Sequence, residues 1–309
     1  MSMKVSTNMF FEKSSTMLSN VQGNLATTQE QLSTGKKINK PSDVPEKASV
    51  VTRLESELAR QASYQENLKI VNIRLTTEET ALTNTVDVMS RMKELAIQAS
   101  NDTVSLADRK SIALEMLQLR DQLLSLANAL DSNGNYLFAG SRVNRMPFSP
   151  DAKGQVVYQG DQSRMVVGVG DNRRMNLNMA GSDAFTNVVR EDGKGGRVGV
   201  GFFQSLNDLI NSVKNSDKVS MQRGLGEIDH LQQGLTSATA QIGADQNVVD
   251  SQNKVLDEIV LRLKTTLSDV QDIDYTVAIT KMNKDQLALE AAQSTFSKIS
   301  QLSLFKYIN

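Results

Sequence analysis

The chain has 309 residues, no Cys, no Trp and only 5% aromatic residues, with 34 basic against 35 acidic side chains. A near-neutral, interspersed charge leaves no footprint for nucleic acid or an acidic membrane surface, and the lack of Cys excludes disulfide frameworks and thiolate metal sites. A core of this size usually leans on aromatics for burial, so long helices packed through Leu, Val, Ile, Met and Ala are expected to supply it.

The first residues, Met1 to Asn8, lack the apolar core and small-residue cleavage site of a secretory signal, and no stretch is apolar for long enough to span a bilayer. Taken alone, these features predict a soluble, cytoplasmic chain. An export route without a cleaved signal escapes the test.

Phe11, Ser14, Leu18, Val21, Leu25, Thr28 and Leu32 recur at three-and-four spacing and predict a first helix that stops at Gly35. The stretch from Lys36 to Pro45 holds two Pro, a Ser-Asp pair and several charges, so it reads as a loop. Pro45 and Glu46 suit the first turn of a second helix, which runs to about Ser100 with Leu68, Val71, Leu75, Leu82, Met89 and Met92 on one face. Met at seam spacing is explained by adaptable core packing. Asn101-Asp102-Thr103 breaks the pattern, and Ser105 with Asp108 offers a capping pair for a third helix. That helix carries Ile112, Met116, Leu119, Leu123, Leu126 and Leu130, and Asn133-Gly134 is expected to end it.

Twelve of the 18 Gly lie between Gly134 and Gly201, so the middle differs in kind. Val156 to Tyr158 and Met165 to Val169, flanking Gly160-Asp161, read as a hairpin, and Met175 to Met179 alternates as a half-exposed strand does. Then helical spacing returns. Ile228, Leu231, Leu235, Ala238, Ile242, Asp245, Val249, Gln252, Leu256, Ile259, Leu263, Thr266 and Val270 form a long seam. The polar run Asp269 to Asp274 reads as a joint. The last seam is Tyr275, Ala278, Met282, Asp285, Leu289, Ala292, Phe296 and Ile299, broken only by Asp285, whose carboxylate is costly there unless paired.

The expected fold is therefore mainly α with a small β insert: a long antiparallel helical coiled-coil bundle of N- and C-terminal segments, with a β-rich outer domain between them. The expected division is 1–44 and 269–309 as terminal helices, 45–135 and 204–268 as the two halves of a helical rod, and 136–203 as the β-rich part. Heptads do not state their partner. The terminal seams fit an intramolecular coiled coil or an interface between copies.

Three stretches carry a resemblance: Leu32 to Asp43, read Leu-Ser-Thr-Gly-Lys-Lys-Ile-Asn-Lys-Pro-Ser-Asp; Gly134 to Gly140, read Gly-Asn-Tyr-Leu-Phe-Ala-Gly; and Gln293 to Phe305. The chain resembles the flagellin superfamily over essentially its whole length, and within it the subunits at the junction of hook and filament. That resemblance implies a non-enzymatic structural subunit, with no catalytic, cofactor or metal site. It implies export, unfolded, through the flagellar type III apparatus, with a chaperone on the C-terminal region until assembly. It also implies an extracellular place on the flagellum, in a ring of copies above hook-associated protein 1 and below the flagellin filament. Neither nucleic acid nor membrane insertion belongs to this scheme.

The resemblance turns the terminal seams toward assembly. The residues expected at that interface are Phe11, Leu18, Val21, Leu25, Leu32, Tyr275, Ala278, Met282, Leu289, Ala292, Phe296 and Ile299. Lys36, Lys37, Asn39, Pro41 and Asp43 are expected on an inter-domain loop. A seam this narrow buries little in one copy, so the ends are expected to gain order as neighbours supply partners.

Other signals read more plainly. His230 is the single His and has no Cys to join it, so a structural or solvent-exposed role is expected. Asp192 to Gly196 lacks phosphate-loop spacing and reads as a surface loop. Lys36, Lys37 and Lys40 carry too little charge for nucleic acid and suit acidic neighbours in an assembly or a plain solvated loop. Flagellin itself is the alternative function. The ending Leu302 to Asn309 argues against it, because flagellins typically close on a Leu-rich run ending in Arg. A signalling coiled coil would need a membrane span or sensor domain, and neither is in the sequence.

Overall fold

Seven helices dominate the computed structural model, which describes residues 2–40, 42, 44–191 and 196–305. In order they are α1 (Ser2–Thr34), α2 (Pro45–Ser100), α3 (Leu106–Ala127), the single turn α4 (Gly181–Ala184), α5 (Phe202–Asn215), α6 (Lys218–Gln271) and α7 (Tyr275–Phe305). Three pairs of short strands lie between α3 and α5. Two compact units result. The terminal unit is Met1–Arg60 with Glu258–Asn309, and the central unit is Gln61–Asp257.

In the central unit α2 and α6 run antiparallel. Gln65 bonds Asp257 at 2.7 Å, Gln246 bonds Glu79 at 2.8 Å and Gln232 bonds Ser90 at 3.0 Å, so positions climb along one helix as they fall along the other. The apolar stripes read from the sequence meet here. Leu68, Val71, Leu75, Leu82, Met89 and Met92 of α2 are buried, as are Ile228, Leu231, Leu235, Ala238, Ile242, Val249 and Leu256 of α6. Burying such stripes yields roughly 25 cal/mol per Å² of apolar surface, which fixes the pairing.

The chain turns from α2 to α3 at Asn101-Asp102-Thr103. Ser105 then caps α3: its Oγ accepts from the Asp108 N–H at 3.2 Å and donates to the Asp108 carboxylate at 2.7 Å. Arg109 locks the corner by donating to the carbonyls of Ala99 and Asn101. α3 packs on α5, with Arg120 donating to Asn207 at 2.7 Å.

The far end of α3 departs from expectation. It stops at Ala127 rather than at Asn133-Gly134, and Leu130 is exposed. Asn128 is the cause. Its side chain bonds both the N–H and the carbonyl of Phe148, each at 2.9 Å, and so serves the first strand instead of continuing the helix.

The strand pairing also differs from the sequence reading. β1 (Phe148–Pro150) pairs with β2 (Val156–Tyr158), β3 (Val166–Gly168) with β4 (Arg174–Asn176), and β5 (Val188–Glu191) with β6 (Arg197–Val200), all antiparallel. Val156–Tyr158 therefore turns back on Phe148, not forward across Gly160-Asp161. The tight turn is at Asp151, whose Oδ1 accepts the N–H groups of Lys153 and Gln155 at 2.8 Å, with Gly154 at φ 75°. Asp161 instead binds the Ser141 N–H and hydroxyl and the Ser163 N–H, tying two loops together.

The scarce aromatics collect where the hairpins meet the helices. Phe138, Phe148, Phe185, Phe202 and Phe203 are buried with ring centroids 5.1 to 6.2 Å apart, most of them edge to face. The hairpins and helices share this core. A polar group braces it: Arg190 of β5 makes a two-pronged contact with Glu227 of α6 at 2.6 Å and also meets Asp208 of α5.

Candidate assembly interface

The terminal unit is built on the pairing of α1 with α7. Its interior is thin. Among the described residues its buried apolar side chains are Ile38, Val51 and Ala278, with Thr28 and Gln271 as buried polar companions. Thr28 satisfies its hydroxyl on the Asn24 carbonyl at 2.9 Å, one turn back.

Along α1, Leu18, Val21, Leu25 and Leu32 are half-buried, as is Ser14, and they flank the buried Thr28. Along α7, Met282, Leu289, Ala292 and Phe296 are half-buried in line with the buried Ala278. Phe11 stays exposed, though its ring meets Phe296 with centroids 4.9 Å apart. Tyr275 is 54% exposed and lies over Gly35, where an added Cβ would sit 3.0 Å from the phenol oxygen. Asp285 is half-buried in the seam, and its Oδ2 is buried without a hydrogen-bond partner. Ile299 falls within α7, but its side chain lies outside the described residues.

A joint closes the unit. Gly35, at φ 70°, ends α1 in the left-handed conformation that glycine tolerates best. The Ile273 N–H then donates to the Gly35 carbonyl at 3.0 Å, and the Lys37 N–H to the Gln271 carbonyl at 2.6 Å, while Lys36 pairs with Asp272 as a single bridge. Asn39 accepts from the Thr34 hydroxyl at 2.9 Å, Gln31 holds the Lys37 carbonyl at 2.8 Å and Lys40 pairs with Glu30 at 3.1 Å. Ile38 plugs the loop from inside. Pro41 and Asp43 lie outside the described residues, as do residues 192–195 of the glycine-rich stretch. α7 restarts at Asp274, whose Oδ1 accepts from the Thr276 and Val277 N–H groups.

The periodic reading passed over a second set of residues. Met9, Phe10 and Met17 of α1, and Val277, Ile279 and Leu287 of α7, are large, apolar and exposed, with Leu287 at 71%. They fall off the seam, so a search for one stripe does not find them. The signal was apolar residues in excess of one stripe. Large exposed apolar side chains on the outer faces of a helix pair mark a candidate interaction surface.

Elsewhere, His230 is exposed on α6. At the other end of the α6 seam Thr266 is exposed while Leu267 is half-buried. A straight helix drifts about 20° per heptad from a strict seven-residue repeat, which moves the stripe by one position.

Comparison with known proteins agrees with this architecture. The family model for the bacterial flagellin N-terminal helical region matches residues 5–143, and that for the flagellin C-terminal helical region matches residues 225–308. Flagellar hook-associated protein 3 of Escherichia coli is 29% identical and that of Salmonella typhimurium 27%, each over 98% of this chain and 99% of the relative. Flagellin B of Vibrio cholerae is more distant, at 23% over 97% of each. A flagellar hook-associated protein of Vibrio parahaemolyticus has the same fold, with a TM-score of 0.67 and 23% identity over 74% of this chain and all of its own. The chain belongs to the flagellin family, and its nearest kin among these are hook-associated protein 3 chains that match it end to end.

Proposed function

We propose that the chain is a non-enzymatic structural subunit of the bacterial flagellum that joins hook to filament. The observation that carries this reading is similarity to hook-associated protein 3 over 98% of the chain, set beside terminal helices whose described residues include large exposed apolar side chains. The relatives are flagellar proteins.

Phe11, Leu18, Val21, Leu25 and Leu32, with Tyr275, Ala278, Met282, Leu289, Ala292, Phe296 and Ile299, form the terminal coiled coil that packs beside copies of itself. A repeated head-to-tail contact between such pairs builds a ring or tube rather than a closed dimer. Segments 1–44 and 269–309 form the inner part of that tube, 45–135 and 204–268 the rod around it, and 136–203 the outward lobe. Lys36, Lys37, Asn39, Pro41 and Asp43 belong to the inter-domain loop. The partners are further copies, hook-associated protein 1 on one side and flagellin on the other. An export chaperone and the type III apparatus deliver the chain to an extracellular place, without a cleaved signal, membrane insertion, nucleic acid or cofactor. The greater distance of flagellin B supports this role over the filament subunit.

The test is a strain lacking Ser294 to Asn309. The shortened protein is expected to remain soluble and largely helical while filaments no longer attach. Attached filaments and normal motility in that strain would overturn the proposal. Copy number in isolated flagella separates the two flagellar readings, a ring's worth against thousands.

A further inference from the structure

Glu78 is a carboxyl that neither the seams nor the assembly explains. It sits on α2 in the central unit, fully buried, and its Oε2 has no hydrogen-bond partner. Oε1 accepts from Arg74 Nε at 3.3 Å and lies 3.5 Å from the Met179 N–H. Beside it is a cavity of about 30 Å³ lined by Leu75, Asn178, Gln241 and Asp245 among others. That is room for about one water.

Arg74 is already committed elsewhere. Its Nη1 meets Asp131 Oδ2 at 3.4 Å, and its Nη2 donates to the carbonyls of Tyr136 at 3.3 Å and Leu137 at 3.0 Å. Asp131 is held ionised. Burial opposes its charge, but the N–H groups of Asn135 and Asn133, the Asn135 side chain and Arg74 outweigh it and keep the carboxyl below the usual range. One cation therefore faces two carboxyls. Among the described residues that line the cavity, the other charged groups are Asp245 on α6 and Arg164 ahead of β3, and Arg164 is paired with Asp183 at 2.9 Å. Asn176 and Asn178 line it from the β4 side.

With Glu78 neutral, Arg74 and Asp131 balance. With Glu78 ionised, a buried negative charge is left over, which is costly in a low-dielectric interior. The same two side chains tie separate segments to α2. Arg74 holds the Tyr136 and Leu137 carbonyls, and Glu78 lies against Met179, next to the bond from the Gly181 N–H to the Phe138 carbonyl at 2.9 Å.

We propose that Glu78 is the proton-binding residue of a latch that clamps the Asp131–Leu137 and Met179–Gly181 segments onto α2, closed when the carboxyl is protonated and loosened when it ionises. Burial, the largest influence, pushes this carboxyl up to about 8 against the opposing pull of Arg74 and of the Met179 N–H, with Asp245 adding to the rise. The sign follows. The closed state binds a proton that the open state releases, so closure weakens as pH rises from the ordinary carboxylate range toward 8, by about tenfold per pH unit, and levels off beyond it.

Native-state hydrogen exchange on the full chain tests this at pH 5.5 and 7.5, corrected for intrinsic exchange. In the wild type the Leu137 and Gly181 amides should lose about a hundredfold in protection. In E78Q, an uncharged isostere, their protection should not change with pH. An equal pH effect in E78Q and wild type would overturn the latch. A carboxyl-carbon NMR titration of Glu78 in the wild type needs no variant. A midpoint above 7 supports the proposal, and one below 5.5 overturns it.

Discussion

Four glycines interrupt α6, at 224, 226, 234 and 243, and the structure assigns two of them opposite consequences on substitution. In a helix interior Gly is less favourable than Ala by about 1 kcal/mol, from lost backbone freedom. At Gly226 an added Cβ meets nothing within 4 Å. Gly226→Ala should therefore stabilise the chain by about 0.5–1 kcal/mol. At Gly224 the same atom would lie 2.7 Å from Leu209 Cδ1, 3.1 Å from its Cβ and 3.3 Å from its Cγ. Leu209 is buried on α5, so its Cβ cannot retreat without moving that helix. Overpacking of this kind costs about 1–3 kcal/mol, which cancels or exceeds the helical gain. Gly224→Ala should thus be less stable than Gly226→Ala by about 1–3 kcal/mol, or roughly 2–4 °C per kcal/mol in a unit of this size. Urea denaturation of the full chain, followed by far-UV circular dichroism, measures the gap at constant m-value. In a double-mutant cycle Leu209→Ala should cost less in the Gly224→Ala background than on its own, by a coupling of about 0.5–3 kcal/mol, because it removes the Cγ and Cδ1 that the new methyl meets. Equal stabilisation by both glycine substitutions would mean that α5 does not rest on α6 at this point.

Two further perturbations test other joints. Burial opposes the charge of Glu227, yet Arg190, Ser205 and Arg223 together hold its carboxyl below the usual range. A depressed carboxyl contributes stability above its unfolded value and loses it as pH falls, so Glu227→Gln should flatten the acid side of the stability curve between about pH 5 and 3. An unchanged slope in acid titration of the melting temperature would contradict this. Asp274→Ala removes the acceptor for the Thr276 and Val277 N–H groups and should cost about 1 kcal/mol of local stability at the start of α7. Exchange rates of the first α7 amides should rise while those of the central unit hold.

Much of the architecture was legible because helices write their faces in local spacing. The stripes of α2, α6, α1 and α7, the stop at Gly35, the break at Asn101 and the Ser105 cap all follow from residues within a turn or two of one another. Spacing names a face and not what covers it. The pairing of Val156–Tyr158 with Phe148, the end of α3 at Asn128, the aromatic cluster and the sharing of Arg74 between Glu78 and Asp131 each join residues distant in the chain. Asn128 reads as an ordinary helix position until Phe148 arrives to take both of its hydrogen bonds. Glu78 stands at seam spacing between Leu75 and Leu82, but only α6 and the hairpins remove the water from its charge. Helical periodicity is a short-range property, set by backbone geometry and apolar spacing. Partner choice, burial of charge and strand pairing depend on surfaces that exist only once distant segments have met.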